Sequence, residues 1–189
     1  MSHAFKEYLR VFLEVFMDDL CMYSLLRHEH IQHLTKVFDQ CHVYRICLNL
    51  DKCEFMVRQG RILGHIVSAN GIATDKDNIK VILELPRTMH YKGFQIFMGH
   101  CGYYRRFIYM YVEIAIPLYA LLVEFIWTEE CEESFEKLKQ ALIIAPILRS
   151  WDWTKPFRVH IDASNYAIGC ILAQPYKGNM DLPVSYSNR

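Results

Sequence analysis

Two adjacent carboxylates, Asp18-Asp19, stand between two extended apolar runs, and no other feature limits the fold of this chain as tightly. Val11 to Met17 is rich in β-branched and aromatic residues, and Leu20 to Ser24 resumes the extended pattern after the acids. Two such runs around a polar pair predict a β-hairpin with the carboxylates at its tip. The acids repel each other there, and a divalent cation would remove the conflict. Hard carboxylate oxygens suit Mg²⁺, which keeps several waters and borrows phosphate oxygens from a substrate. Asp is also a common turn residue, and taken alone the pair reads first as a solvated tip.

The rest of the chain predicts an α+β protein. Phe5, Tyr8, Leu9 and Phe12 suggest an opening helix, and Ile31, Leu34, Val37, Phe38 and Cys41 a second over residues 28–43. Short strands are expected at residues 46–50 and 62–68, with a turn at Asn70-Gly71. Asp75 is placed to cap a helix that ends before Pro86. Residues 91–123 read as several short helices punctuated by Gly93, Gly99, Gly102 and Pro117. Thr128 precedes Glu129-Glu130, acids that suit the positive end of a helix. Three β-like runs follow at 157–161, 167–173 and 182–186, beyond a boundary expected at residues 146–155.

Composition narrows the class. Apolar residues make up 52% of the 189 and charged residues 22%, with 21 Lys+Arg against 21 Asp+Glu. That excludes a disordered tail, a collagen-like repeat and a histone-like polycation. Neutrality also argues against a chain whose main task is holding nucleic acid. The total hides a pattern, however. Residues 61–120 carry seven cations and four anions, and residues 121–150 carry three and six. The apolar stretch from Phe107 to Trp127 contains Glu113, which would cost about 2.5 kcal/mol or more near mid-bilayer. Two short buried helices meeting at Pro117 are expected there, and no membrane span. Seven scattered cysteines, no CxxC and no secretory signal predict reduced thiols in an intracellular protein, cytoplasmic or nuclear and not secreted.

Other candidate residues are weaker taken singly. Asp162 ends a β-run and could hold a metal or simply terminate a strand. His28, His30 and His33 read as solvated helix-face residues, since zinc needs more ligands than the spacing offers. Tyr103-Tyr104-Arg105-Arg106-Phe107 combines guanidinium groups that pair with phosphate and rings that stack on bases, or else buried aromatics beside a basic edge.

In order along the chain these pieces form a pattern. Phe16-Met17-Asp18-Asp19 is followed by Leu48-Asn49-Leu50 with Lys52-Cys53-Glu54-Phe55, and by Leu63-Gly64-His65-Ile66-Val67-Ser68 with Gly71-Ile72. Phe97-Met98-Gly99-His100, Gly102-Tyr103-Tyr104-Arg105-Arg106-Phe107-Ile108, Trp127-Thr128-Glu129-Glu130-Cys131 and Asp162-Ala163-Ser164 continue it. The whole resembles the reverse transcriptase of long-terminal-repeat retrotransposons of the gypsy type.

The resemblance implies part of a right-hand polymerase. Residues 1–60 correspond to the C-terminal palm, 61–74 to a primer-grip-like hairpin and 75–123 to a helical thumb. Residues 124–155 correspond to the connection and 156–189 to the first strands of an RNase H-like domain. It further implies that Asp18 and Asp19 are the paired polymerase carboxylates, that Lys52 protonates pyrophosphate, and that Asp162 is the first RNase H carboxylate, with Mg²⁺ as cofactor at all three acids. Leu63, Gly64 and His65 would hold the primer terminus, and Lys92, Tyr104, Arg105 and Arg106 the nucleic acid. The implied partners are an RNA/DNA primer-template and the remainder of the polyprotein. By the same comparison the third palm carboxylate, the fingers and the later RNase H acids are absent, so this chain alone is expected to perform neither nucleotidyl transfer nor strand hydrolysis. It departs from the family pattern at Arg87, Thr88, Met89 and His90, at Gln95, and at Tyr109, Ile116 and Tyr119, which replace polar or basic residues. The alternative reading is a residual nucleic-acid-binding module or a nonfunctional relic.

Overall fold

A computed structural model describes residues 1–86, 90–165, 167–178 and 180–188. The departure from the family pattern at residues 87–89 lies outside the described residues. The chain divides into two compact units, Met1–Ile62 and Leu63–Arg189.

In the first unit, β1 (Leu13–Phe16) and β2 (Asp19–Met22) form the expected antiparallel hairpin. Phe16 pairs with Asp19, so Met17 and Asp18 are the two loop residues, and Met17 takes the left-handed conformation (φ 55°). The helix α1 (Arg27–Val43) turns Val37 and Cys41 inward onto Phe5, Phe12 and Leu13. Two expectations fail here. Residues 1–12 are a string of turns, not a helix, and Tyr8 O alone accepts from the amides of Val11, Phe12 and Leu13. A left-handed Arg10 (φ 62°) breaks any continuation. Residues 46–50 are not a strand: the chain runs irregularly into a 3-10 turn at Leu50–Lys52, with Asn49 Oδ1 accepting from Asp51 N at 3.1 Å. That side-chain bond offers the backbone an alternative to a ladder. The unit closes with β3 (Gln59–Ile62).

In the second unit, Leu63 (φ 46°) and Gly64 (φ 68°) interrupt the strand expected over 62–68, which starts again as β4 (His65–Ser68). Ala69-Asn70 links it to the antiparallel β5 (Gly71–Thr74). Asp75 caps α2 (Lys76–Leu83), its carboxylate accepting from Asp77 N. Then come α3 (Tyr91–Tyr103), a 3-10 turn at Arg105–Phe107, α4 (Tyr111–Ala120) and α5 (Glu129–Ile143). The glycines do not break α3. Pro117 lies inside α4 rather than between two helices, and the break falls earlier, at Met110 (φ 51°), which starts α4. Thr128 caps α5, its hydroxyl accepting from Cys131 N at 3.3 Å. Among the described residues no helix is long and apolar enough to cross a membrane.

The helices of the second unit share one core built on Ile82, Phe94, Phe97, Phe107, Leu118, Phe135 and Leu138. The Phe97 and Phe135 rings lie 4.4 Å apart. Burying each such side chain contributes about 1.5–3 kcal/mol. The chain ends in an antiparallel meander of β6 (Arg158–Ala163), β7 (Ile168–Pro175) and β8 (Asp181–Asn188). The segment that leads into it is tied on both sides. Ile72 and Leu148 exchange backbone bonds of 2.7 and 2.8 Å, and Arg149 N donates to Pro183 O.

Candidate functional site

The turn at Leu63-Gly64-His65 is the most fully built of the expected sites. Leu63 and Gly64 take positive φ angles in succession, and two phenols bond their carbonyls. Tyr103 Oη donates to Leu63 O, and Tyr104 Oη donates to Gly64 O at 2.7 Å. Asn78 Nδ2, from α2, donates in turn to Tyr104 Oη at 3.3 Å. His65 Nδ1 lies 2.8 Å from Leu63 O, which fixes the proton on Nδ1, and the ring packs among Tyr103, Tyr104 and Phe107. Burial lowers the His65 pKa and the Arg106 guanidinium lowers it further, against the bond to Leu63 that raises it. Among the described residues, His65 Nε2 and Arg106 Nε are buried without a hydrogen-bond partner.

The expected nucleic-acid contacts separate into two kinds. Lys92 and Arg105 are exposed, and Arg106 is half-buried with its guanidinium 5.8 Å from the Phe107 ring. Tyr104 is different. It is 1% exposed, so it is a strut under the turn and not a platform on which a base could stack. Its neighbour Tyr103 is the exposed aromatic. Sequence reasoning missed Asn78 and the struts, because a Tyr-Tyr pair does not say which ring faces inward.

Asp18 and Asp19 are exposed at the hairpin of the first unit, where Lys52 is also exposed at the end of its 3-10 turn. Their hard, solvent-facing oxygens have the chemistry of a Mg²⁺ site open to substrate. They supply only part of one, since no cluster of three or more His, Cys, Asp or Glu that could hold a metal occurs among the described residues. His30 and His33, expected to be solvated, instead turn to Ser24 Oγ, at 3.3 and 2.8 Å from their Nδ1 atoms, and His33 stacks on Phe12 at 3.9 Å. Asp162 is exposed in β6 opposite Gly169 in β7. Tyr109 Oη donates to Asp162 Oδ2 at 2.6 Å, and that bond raises the Tyr109 pKa.

Comparison with known proteins identifies the family. The family described as reverse transcriptase (RNA-dependent DNA polymerase) matches residues 1–67, and the RNase H-like domain found in reverse transcriptase matches residues 127–189. The retrovirus-related Pol polyprotein from transposon 297 of Drosophila melanogaster is 36% identical over 100% of this chain and 18% of its own length. The transposon 412 polyprotein of the same organism is 34% identical over 93% of this chain and 14% of its own length. The transposon Tf2-3 polyprotein of Schizosaccharomyces pombe is 30% identical over 90% and 13%. The chain thus spans less than a fifth of the length of these relatives. A foamy viral protease-reverse transcriptase solved with double-stranded DNA shares the fold at a TM-score of 0.88, with 23% identity over 100% of this chain and 33% of that one. A second, solved with an RNA/DNA hybrid, has a TM-score of 0.84 at 22% identity over 100% and 26%. The chain therefore belongs to the reverse transcriptase family of retrotransposon polyproteins, as a segment that runs from the reverse transcriptase domain into an RNase H-like domain.

Proposed function

We propose that this segment supplies the carboxylate hairpin, the primer-grip turn and the helical grip of an RNA-directed DNA polymerase that acts on a primer-template. The observation that carries the reading is the Leu63-Gly64-His65 turn, braced by Tyr103 and Tyr104. A polymerase must hold the primer end close to its attack geometry, and a turn bonded to a packed helical block meets that need. The reading also draws on the seven cations and four anions of residues 61–120. The exposed Lys92 and Arg105 lie in this segment and suit a phosphate backbone.

In this reading Asp18 and Asp19 hold divalent metal, and Lys52 stands as a proton donor to the leaving pyrophosphate. The chemistry that bound Mg²⁺ supplies is activation of the attacking 3′ oxygen and neutralisation of charge on the leaving group. Asp162 is the corresponding carboxylate of the RNase H-like strands. The remainder of the polyprotein completes both sites, so this segment alone carries out neither reaction.

Primer extension on an RNA template tests the assignment in the polyprotein that contains this segment. Asp18→Asn and Asp19→Asn should each abolish incorporation while leaving primer-template binding nearly intact. Incorporation that survives both substitutions would refute the carboxylate assignment. For the isolated segment, incorporation that disappears with Asp18→Asn would refute the inactivity reading.

A further inference from the structure

Two indoles stand in water where the chain enters the meander. Trp151 is 52% exposed and Trp153 79%, and Phe157 beside them is 38% exposed. The Trp151 and Trp153 rings lie 6.1 Å apart, and those of Trp153 and Phe157 5.9 Å, at interplanar angles of 68° and 71°. The three rings thus form one continuous aromatic row on the surface, and contiguous apolar surface of this kind marks a contact site.

The loop beneath is built to hold the row still. Gln174, in β7, is 7% exposed and spends its whole amide on residues 152–155. Its oxygen accepts from Asp152 N at 2.7 Å, and its nitrogen donates to Asp152 O at 2.8 Å and Lys155 O at 3.3 Å. Asp152 Oδ1 tightens the same loop, accepting from Thr154 N at 3.0 Å and Thr154 Oγ1 at 2.6 Å. A buried amide therefore fixes the backbone of a loop whose largest side chain is left in solvent. Rings presented in this way bind without first having to be ordered. The surrounding charge is positive. Arg149 lies 4.4 Å over the Tyr176 ring, at a cleft of about 200 Å³ that Lys155 and Gln174 also line. Arg149, Lys155, Arg158 and Lys177 stand against Asp152 and Asp181, four cations to two anions.

We propose that the row of Trp151, Trp153 and Phe157 is a stacking platform for single-stranded nucleic acid, with Arg149 and Lys155 on its phosphates. Unpaired bases offer their faces to aromatic rings whatever their sequence, and a cationic border tracks the backbone. A duplex keeps those faces covered. The excess of cations favours a polyanion over another protein surface. No residue of the platform belongs to residues 61–120, so the proposal does not rest on the primer-grip reading.

Fluorescence anisotropy of a labelled oligothymidylate, titrated with the full 189-residue chain, tests this. A length of about twelve nucleotides falls within the roughly 4–16 that one single-strand site covers. Trp151→Ala and Trp153→Ala should each weaken binding by about five- to a hundredfold, the range for one lost base stack. Trp153→Phe, which keeps a ring, should restore most of it. Arg149→Gln and Lys155→Gln should each flatten the slope of log affinity against log salt by about 0.7. Thermal unfolding midpoints of the variants should stay close to the parent, since these side chains are largely in water. Failure of the parent chain to bind at low salt would overturn the platform. So would unchanged affinity in both alanine variants, because the strand would then sit elsewhere, and that result leaves the primer-grip reading standing. Equal competition by an unlabelled duplex would also overturn it. Indole quenching that follows protein concentration alone, and not added oligonucleotide, would assign the rings to a second copy of the chain instead.

Discussion

Tyr104 donates its hydroxyl to the carbonyl of Gly64 at 2.7 Å, and so fastens a turn to a helix forty residues further along the chain. The phenol is buried, and it accepts from Asn78 while it donates to Gly64. One hydroxyl thus satisfies one backbone acceptor and one amide donor, and its removal leaves both without a partner. Tyr104→Phe should destabilise the chain by about 1–3 kcal/mol. Urea denaturation checks this, and hydrogen exchange should quicken at residues 63–65 more than in α5.

Lys139 shows a second long-range tie. It is 8% exposed and donates to Leu83 O at 3.1 Å and Leu85 O at 2.9 Å. These carbonyls stand at the C-terminal end of α2, where the helix itself supplies no amide donors. The ammonium also lies 4.2 Å from the centre of the Phe135 ring. Lys139→Met keeps most of the apolar stem but removes the donor from both carbonyls and should cost about 1–3 kcal/mol. The midpoint of thermal unfolding, followed by circular dichroism, measures the loss.

His65 should make stability depend on pH. Its folded pKa lies below the ordinary histidine value of about 6.5. As pH falls, the unfolded chain takes up the proton first. Stability is therefore highest above about pH 6.5 and declines as pH drops through the lowered folded value. Urea midpoints measured across that range should fall for the parent chain. His65→Gln, which cannot take up a proton, should show a smaller fall.

Gly71 sits at φ 125°, and a Cβ there would collide with the carbonyl of Leu148. Gly71→Ala should cost at least about 2 kcal/mol, because backbone would have to move where Ile72 and Leu148 exchange their two hydrogen bonds. Gly60→Ala is the control, since nothing lies within 4 Å of the added carbon. Equal midpoints for the two variants would contradict this account.

Thr128→Ala removes the hydroxyl that caps α5 and should cost about 1 kcal/mol, with Thr128→Ser close to the parent. Chemical denaturation of the three chains distinguishes these outcomes.

Local chemistry determined what the sequence alone made legible. The hairpin around Asp18-Asp19, the Asp75 cap and the acids after Thr128 that open α5 depend on neighbours a few residues away, so pattern suffices for them. Where side-chain bonds or left-handed residues compete with regular structure, pattern failed: residues 1–12 became turns and residues 46–50 became an irregular run. Pro117 was also misplaced as a helix break, because burial of Ala115 and Leu118 beside it carries α4 through the proline. The tertiary structure alone decided which member of each like pair faces inward. It buried Tyr104 and exposed Tyr103, it turned Lys139 inward to two carbonyls at the end of α2, and it brought Tyr109 to Asp162. Those contacts join residues far apart in the chain, and closure of the intervening segments is set by the packed core rather than by any local preference.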